Sequence, residues 1–102
     1  MYNIILCCEH GASTSLVAEK IQEAANAKGV EAVVEAYSVG KLHEVIEKAD
    51  VILLGPQIRF MSRRLMKEYA DSGVPFVNID ASDFGRLNGE GIFTVAMEAI
   101  EK

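Results

Sequence analysis

Tyr2-Asn3-Ile4-Ile5-Leu6-Cys7-Cys8-Glu9-His10-Gly11-Ala12-Ser13-Thr14-Ser15-Leu16-Val17-Ala18 runs from an apolar segment through a thiol and a glycine into hydroxyl residues and a second apolar segment. An apolar run this near the N-terminus predicts a buried parallel strand. Gly11 with the following hydroxyls predicts a tight turn opening a helix, the plain alternative being a merely capped helix start with Ser13 or Thr14 as its N-cap. Backbone N–H groups at a helix start attract anions. The same field favours the thiolate of a cysteine at the loop entrance, which makes Cys8 the candidate nucleophile or covalent carrier. Cys7 alternates inward along the strand and is assigned to packing.

Outward from this stretch, a helix from Ser15 to about Lys28 carries Val17, Ile21 and Ala24 inward and stops at Gly29. A strand from Val30 to Tyr37 follows, then a short helix from about Lys41 to Ala49 and a buried strand Val51-Ile52-Leu53-Leu54. Gly55-Pro56-Gln57 predicts a sharp strand-to-helix turn. The next helix, from about Ile58 to Ser72, has Ile58, Met61, Leu65 and Tyr69 on one stripe and is broken by Gly73-Val74-Pro75 before strand Phe76 to Ile79. Asp80 closes that strand, a loop spans Ala81 to Glu90, and a last helix carries Ile92, Val95, Ala96, Ala99 and Ile100 inward. The βαβαβαβα order predicts an α/β fold: a three-layer flavodoxin-like sandwich with a four-stranded parallel sheet, order 2-1-3-4, resembling low-molecular-weight tyrosine phosphatase. In such sheets ligands sit beyond the carboxyl ends of the strands at the switch point. The Cys8 loop, Gly55-Pro56-Gln57 and Asp80 all fall on that edge.

Composition narrows the classes. With 102 residues and 50% of them apolar, the chain predicts one domain over residues 1–102 with one modest core. Adjacent cysteines cannot close an ordinary disulfide loop and no secretory signal is readable, so a cytoplasmic protein with free thiols is expected. No apolar run approaches the roughly 20 residues of a membrane span. A net charge of -5 argues against nucleic acid as the main ligand. Two adjacent cysteines and scattered His10 and His43 lack zinc-ligand spacing, and neither metal nor cofactor is implied.

The chemistry expected at the thiol is phosphoryl transfer. Glu9, His10, Gly11, Ala12, Ser13, Thr14 and Ser15 form the candidate phosphate-binding loop, whose amides and hydroxyls suit three phosphoryl oxygens held on sulfur. A thiol phosphatase of the low-molecular-weight type places an arginine six positions after its cysteine, where Thr14 stands here. Without that guanidinium, a carrier that keeps its phosphoryl group is favoured over a hydrolase. Gln57 and Asp80 are auxiliary candidates, Asp80 either as a general acid or as a cap of the following turn. His10 is either a tuning group for the thiol or a bystander. Arg59, Arg63 and Lys67, with Arg64 adjacent, give one basic helix face that is either solvated or a docking surface.

Leu6-Cys7-Cys8-Glu9-His10-Gly11-Ala12-Ser13-Thr14-Ser15-Leu16, together with Val51-Ile52-Leu53-Leu54-Gly55-Pro56-Gln57-Ile58, resembles the enzyme IIB component of the lactose/cellobiose class of bacterial sugar phosphotransferase systems. The resemblance spans nearly the whole chain and includes Asp80 and Gly89-Glu90-Gly91. It implies that Cys8 takes a phosphoryl group from a phosphohistidine on enzyme IIA and passes it to a cellobiose-, chitobiose- or lactose-type sugar entering through the membrane component, enzyme IIC. It implies too a cytoplasmic protein held at the inner face of the membrane through enzyme IIC. Glu9-His10 departs from the small neutral residues expected of the family. A carboxylate there disfavours a neighbouring thiolate or bound dianion, and a protonated His10 offsets it. Two other readings share the thiol and cradle: a small cysteine-dependent phosphatase or arsenate-reductase-like enzyme, and a flavin- or anion-binding module with Cys8 as bystander.

Overall fold

A computed structural model describes residues 1–9 and 11–101, with only the backbone of Gly11, Ala12 and Ser13. Its centre is β1 (Tyr2–Cys8), paired in parallel with β2 (Ala32–Ser38) on one side and β3 (Val51–Leu54) on the other, while β4 (Phe76–Asn78) pairs with β3. The order β2-β1-β3-β4 is the one expected from the alternating elements. All four strands point the same way, so their carboxyl ends share one edge.

The pleat of β1 divides the core into two layers. Ile4 and Leu6 pack with Val17, Ile21 and Ala25 of α1 (Gly11–Ala27) and with Ile92, Phe93 and Ala96 of α5 (Gly89–Glu101). Ile5 and Cys7 face the opposite way, against Leu42 and Val45 of α2 (Leu42–Val45), Ile58, and Leu65 of α3 (Ser62–Glu68). Alternate residues of one strand thus meet different helices, and Ile4, Ile5, Leu6 and Cys7 are all fully buried. Gly29, at φ +71°, ends α1 in the left-handed conformation that residues with a Cβ disfavour.

Strand β2 is a sheet edge, and α1 covers part of it. The Gln22 side chain donates from Nε2 to the Ala32 carbonyl (2.8 Å), and its Oε1 accepts from the Val34 N–H (2.9 Å). The amide therefore does what a further strand would do and withdraws those backbone groups from edge-to-edge pairing.

Several expected elements need correction. Helix α1 starts at Gly11 rather than Ser15, so Ser13 and Thr14 lie in its first turn and are not its cap. The expected helix from Lys41 to Ala49 is a single α turn flanked by 3-10 turns at Val39–Lys41 and Ile46–Lys48. The expected helix from Ile58 to Ser72 begins as a 3-10 segment, Pro56–Met61, in which Ile58 is non-helical, and becomes α-helical only at Ser62. The proline ring leaves that first turn without one backbone donor.

The segment expected as a loop, Ala81 to Glu90, contains α4 (Ala81–Gly85) and the start of α5. Side-chain caps explain both. Asp80 Oδ1 accepts from Ser82 N–H at 2.7 Å, and Asn88 Oδ1 accepts from Gly91 N–H at 3.1 Å.

Helices α1 and α5 meet where Gly89 lies on the backbone of Lys20 and Ile21. A Cβ there would collide with the Lys20 carbonyl and come within 2.9 Å of Ile21 N. Gly89→Ala is expected to cost about 1–3 kcal/mol through forced separation of the two helices. Thermal unfolding should register this as a lower midpoint, by roughly 4–8 °C per kcal/mol for a domain of this size. An unchanged midpoint would mean that the helix pair yields without loss of packing.

Candidate functional site

The sulfur of Cys8 lies at the carboxyl end of β1, where the strand still pairs with β2 through Cys8 and Ser38. Because the strand includes Cys8, its side chain alternates away from Cys7 and toward the rim beneath the α1 N-terminus. Both sulfurs are nevertheless largely out of water, Cys7 at 0% exposure and Cys8 at 4%.

Part of the cover comes from β3. Gly55 N–H donates to the Cys7 carbonyl at 2.9 Å, which ties the turn after β3 to the end of β1. The chain then enters the 3-10 segment at Pro56, and Gln57 turns back so that its Oε1 accepts a hydrogen bond from the Cys8 thiol at 3.2 Å. Gly55 leaves room for this: a Cβ there would stand 2.9 Å from Gln57 Oε1 and 3.2 Å from Cys8 Sγ. The Gly55-Pro56-Gln57 turn thus brings a side-chain amide to the sulfur. The thiol donates and the amide oxygen accepts, so this is the arrangement of a protonated Cys8.

Other candidates divide. Gly11 to Ser15 open α1, where the helix dipole is positive. Thr14, which stands where a phosphatase of this type has arginine, is 1% exposed, while Ser15 and Glu9 are exposed. His10 lies outside the described residues, as do the side chains of Ala12 and Ser13.

Asp80 follows β4, and β3 lies between that strand and β1. Strand β4 stands two places from β1, about 10 Å away at ordinary strand spacing. Its carboxylate caps α4, which is the structural alternative the sequence offered. The sequence reading did not single out Asn78, opposite Leu54 at the same edge, whose Oδ1 is buried without a hydrogen-bond partner among the described residues. The available signal was one amide residue within the apolar run Phe76-Val77-Asn78-Ile79.

A wide depression among Asp50, Gly73, Val74, Pro75 and Ile100 lies at the amino ends of β3 and β4, opposite the thiol edge. Among the described residues no cluster of His, Cys, Asp and Glu could hold a metal ion, and no helix is long and apolar enough to cross a membrane.

Burial, and after it the adjacent Cys8 sulfur, push the Cys7 thiol up from 9.0 to about 12. In the unfolded chain Cys7 ionises near 9.0, so the stability it contributes is fully present below that pH. That contribution is lost as pH rises toward about 12. Urea unfolding on either side of pH 9.0 should show wild-type stability falling more steeply above it than that of Cys7→Ala. Parallel curves would remove Cys7 as a source of the alkaline loss. Gln57→Ala should expose Cys8 and speed its alkylation by iodoacetamide several-fold, read by intact mass. An unchanged rate would assign the cover to other groups.

The family description "PTS system, Lactose/Cellobiose specific IIB subunit" matches residues 3–94. The chain is 35% identical over 97 residues to the oligo-beta-mannoside-specific EIIB component of Bacillus subtilis, covering 95% of this chain and 94% of that one. It is likewise 35% identical over 98 residues to the galactose-specific EIIB component of Lactococcus lactis, covering 91% of each. The solution structure of a cellobiose-specific IIB component from Borrelia burgdorferi superposes with a TM-score of 0.82 at 37% identity, covering 98% of this chain and 92% of that one. A lactose-specific IIB domain from Streptococcus pneumoniae shares the fold, with a TM-score of 0.86 at 19% identity and 96% of each chain covered. A parallel sheet in this order, with a cysteine at the end of its first strand, is thus matched along nearly its full length by sequence and by fold, and the chain belongs to the lactose/cellobiose-specific IIB family of the sugar phosphotransferase system.

Proposed function

We propose that this chain is a phosphoryl carrier that receives a phosphoryl group on Cys8 Sγ from a phosphohistidine of enzyme IIA and delivers it to a sugar presented by the membrane component, enzyme IIC. The observation that carries the reading is the Cys8 thiol, held by Gln57 at 3.2 Å and joined by only two residues to the first turn of α1. In the first step sulfur attacks phosphorus, the S–P bond forms and the P–N bond breaks. The thiol proton is matched by the one the released imidazole gains. In the second step a sugar hydroxyl attacks phosphorus, the O–P bond forms, the S–P bond breaks, and the hydroxyl proton returns to sulfur in the net balance.

The residues suit each step. The positive end of the α1 dipole, which opens three residues after Cys8, favours the phosphoryl oxygens. Gln57 is exposed although it touches the thiol, so its side chain can swing aside to admit phosphorus. Its Oε1 serves the protonated sulfur, and after rotation its Nε2 can donate to a phosphoryl oxygen. Thr14 supplies no positive charge for hydrolysis where a thiol phosphatase has its guanidinium, which favours retention of the phosphoryl group over its loss to water. Cys7, buried and protonated, takes no part.

The sugar is left to enzyme IIC in this reading. Relatives named for oligo-beta-mannoside, galactose and cellobiose are all 35% identical to this chain, so overall likeness selects none of the three. A β-linked disaccharide such as cellobiose, chitobiose or lactose remains the proposed class.

Incubation with phosphoenolpyruvate, the general phosphotransferase proteins and a cellobiose-type enzyme IIA should add one phosphoryl group to the wild-type mass. The increment should be absent in Cys8→Ser and retained in Cys7→Ala. Labelling of Cys8→Ser, or turnover of free phosphate esters by the wild type, would overturn the carrier reading.

A further inference from the structure

The segment that brings Gln57 to the sulfur also carries an unneutralised cationic surface. Residues 51–67 hold Arg59, Arg63, Arg64 and Lys67 and no acidic residue, in a chain with 15 Asp and Glu against 10 Lys and Arg. All four side chains are exposed, and among the described residues none of them is in an ion pair. Elsewhere Lys20, Lys41, Lys48 and Arg86 are each within ion-pair distance of a carboxylate. Beside the arginines Phe60 is 79% exposed, more than any other large apolar side chain among the described residues.

One solvated arginine needs no explanation. Four exposed cations without an ion pair among the described residues, with Glu68 at the end of their helix, in a chain of net charge -5 and next to an aromatic ring left in water, have the composition of a protein-binding surface. They follow directly on Gln57, which touches Cys8, so a partner seated there stands beside the sulfur.

We infer that the exposed surface from Arg59 to Lys67, including Phe60, docks the acidic surface of the protein that donates the phosphoryl group. This rests on the carrier reading above and names the face it uses. Charge separates the donor from the sugar-presenting membrane partner. Cytoplasmic loops of membrane proteins carry an excess of Lys and Arg, which a basic patch repels, whereas an acidic donor is steered toward it. Long-range attraction of this kind acts on the encounter rate and is screened within about 10 Å at ordinary salt.

The test is the second-order rate of phosphoryl transfer from a phosphorylated cellobiose-type enzyme IIA, measured by rapid quench from low salt to about 0.5 M. R59Q/R63Q/R64Q/K67Q is expected to accept at least about tenfold more slowly at low salt and to lose most of the wild-type salt dependence. K20Q/K28Q/K41Q/K48Q, with the same net charge placed elsewhere, should stay within about twofold of wild type. Phe60→Ala should weaken donor saturation without altering the salt slope. If the fourfold variant does not fold, Arg63→Gln carries the test through its salt slope alone.

A wild-type rate and salt slope in the patch variant would overturn the inference and leave the carrier reading standing. The same result combined with lost binding to phosphatidylglycerol vesicles would assign the patch to a lipid surface instead. No transfer to the wild type would remove the carrier reading and this inference together, and the phosphorylation experiment registers that before any variant is made.

Discussion

The desolvation of Ile4 to Cys7 in β1 is the constraint on which the rest of the structure depends. A strand flanked by parallel neighbours satisfies its backbone in the sheet and must find apolar cover on both faces. Ile4 and Leu6 recruit α1 and α5, Ile5 and Cys7 recruit α2, the Pro56–Met61 segment and α3, and every one of these four side chains reaches zero exposure. The two layers follow from the pleat alone. Because the strand continues to Cys8, the period of two that buries Cys7 in one layer also turns the next sulfur toward the rim of the other. Core packing and site placement are consequences of one alternation.

Chemistry at the rim depends on how closely β3 approaches. The Gly55 N–H bound to the Cys7 carbonyl fixes the height of the turn, and the missing Cβ leaves the space through which Gln57 reaches Cys8. A covered thiol is protected from alkylation and oxidation, while the amide covering it is exposed enough to leave. Protection and access are thus compatible in one arrangement.

Electrostatics follows the same division between scaffold and site. Carboxylates dominate the chain and hold several of its lysines in exposed ion pairs worth little individually. The segment beyond Gln57 keeps its arginines exposed and, among the described residues, outside any ion pair. Gln22, on the opposite side of the sheet, shows how polar groups also finish the scaffold, because its amide bonds the edge of β2 that no further strand among the described residues covers.

Periodicity and punctuation in the sequence determined the strand order, the division of Cys7 and Cys8 between opposite faces, the glycine stop after α1 and the family to which the motifs belong, because these depend on local residue patterns. Local patterns were insufficient where contacts distant in sequence decide. The α4 turn was hidden because Asp80 and Asn88 read as loop residues until their side chains are seen capping backbone N–H groups. The long third helix was overread because Ile58, Met61, Leu65 and Tyr69 fit a helical stripe even though Pro56 opens the segment as a 3-10 turn. Only the tertiary structure decided that Cys8 is covered, that Gln57 covers it across 49 residues of sequence while Asp80 serves as a cap, and that Gly89 presses against α1. Such facts depend on the distance of closest approach between elements, which packing sets and no periodicity encodes.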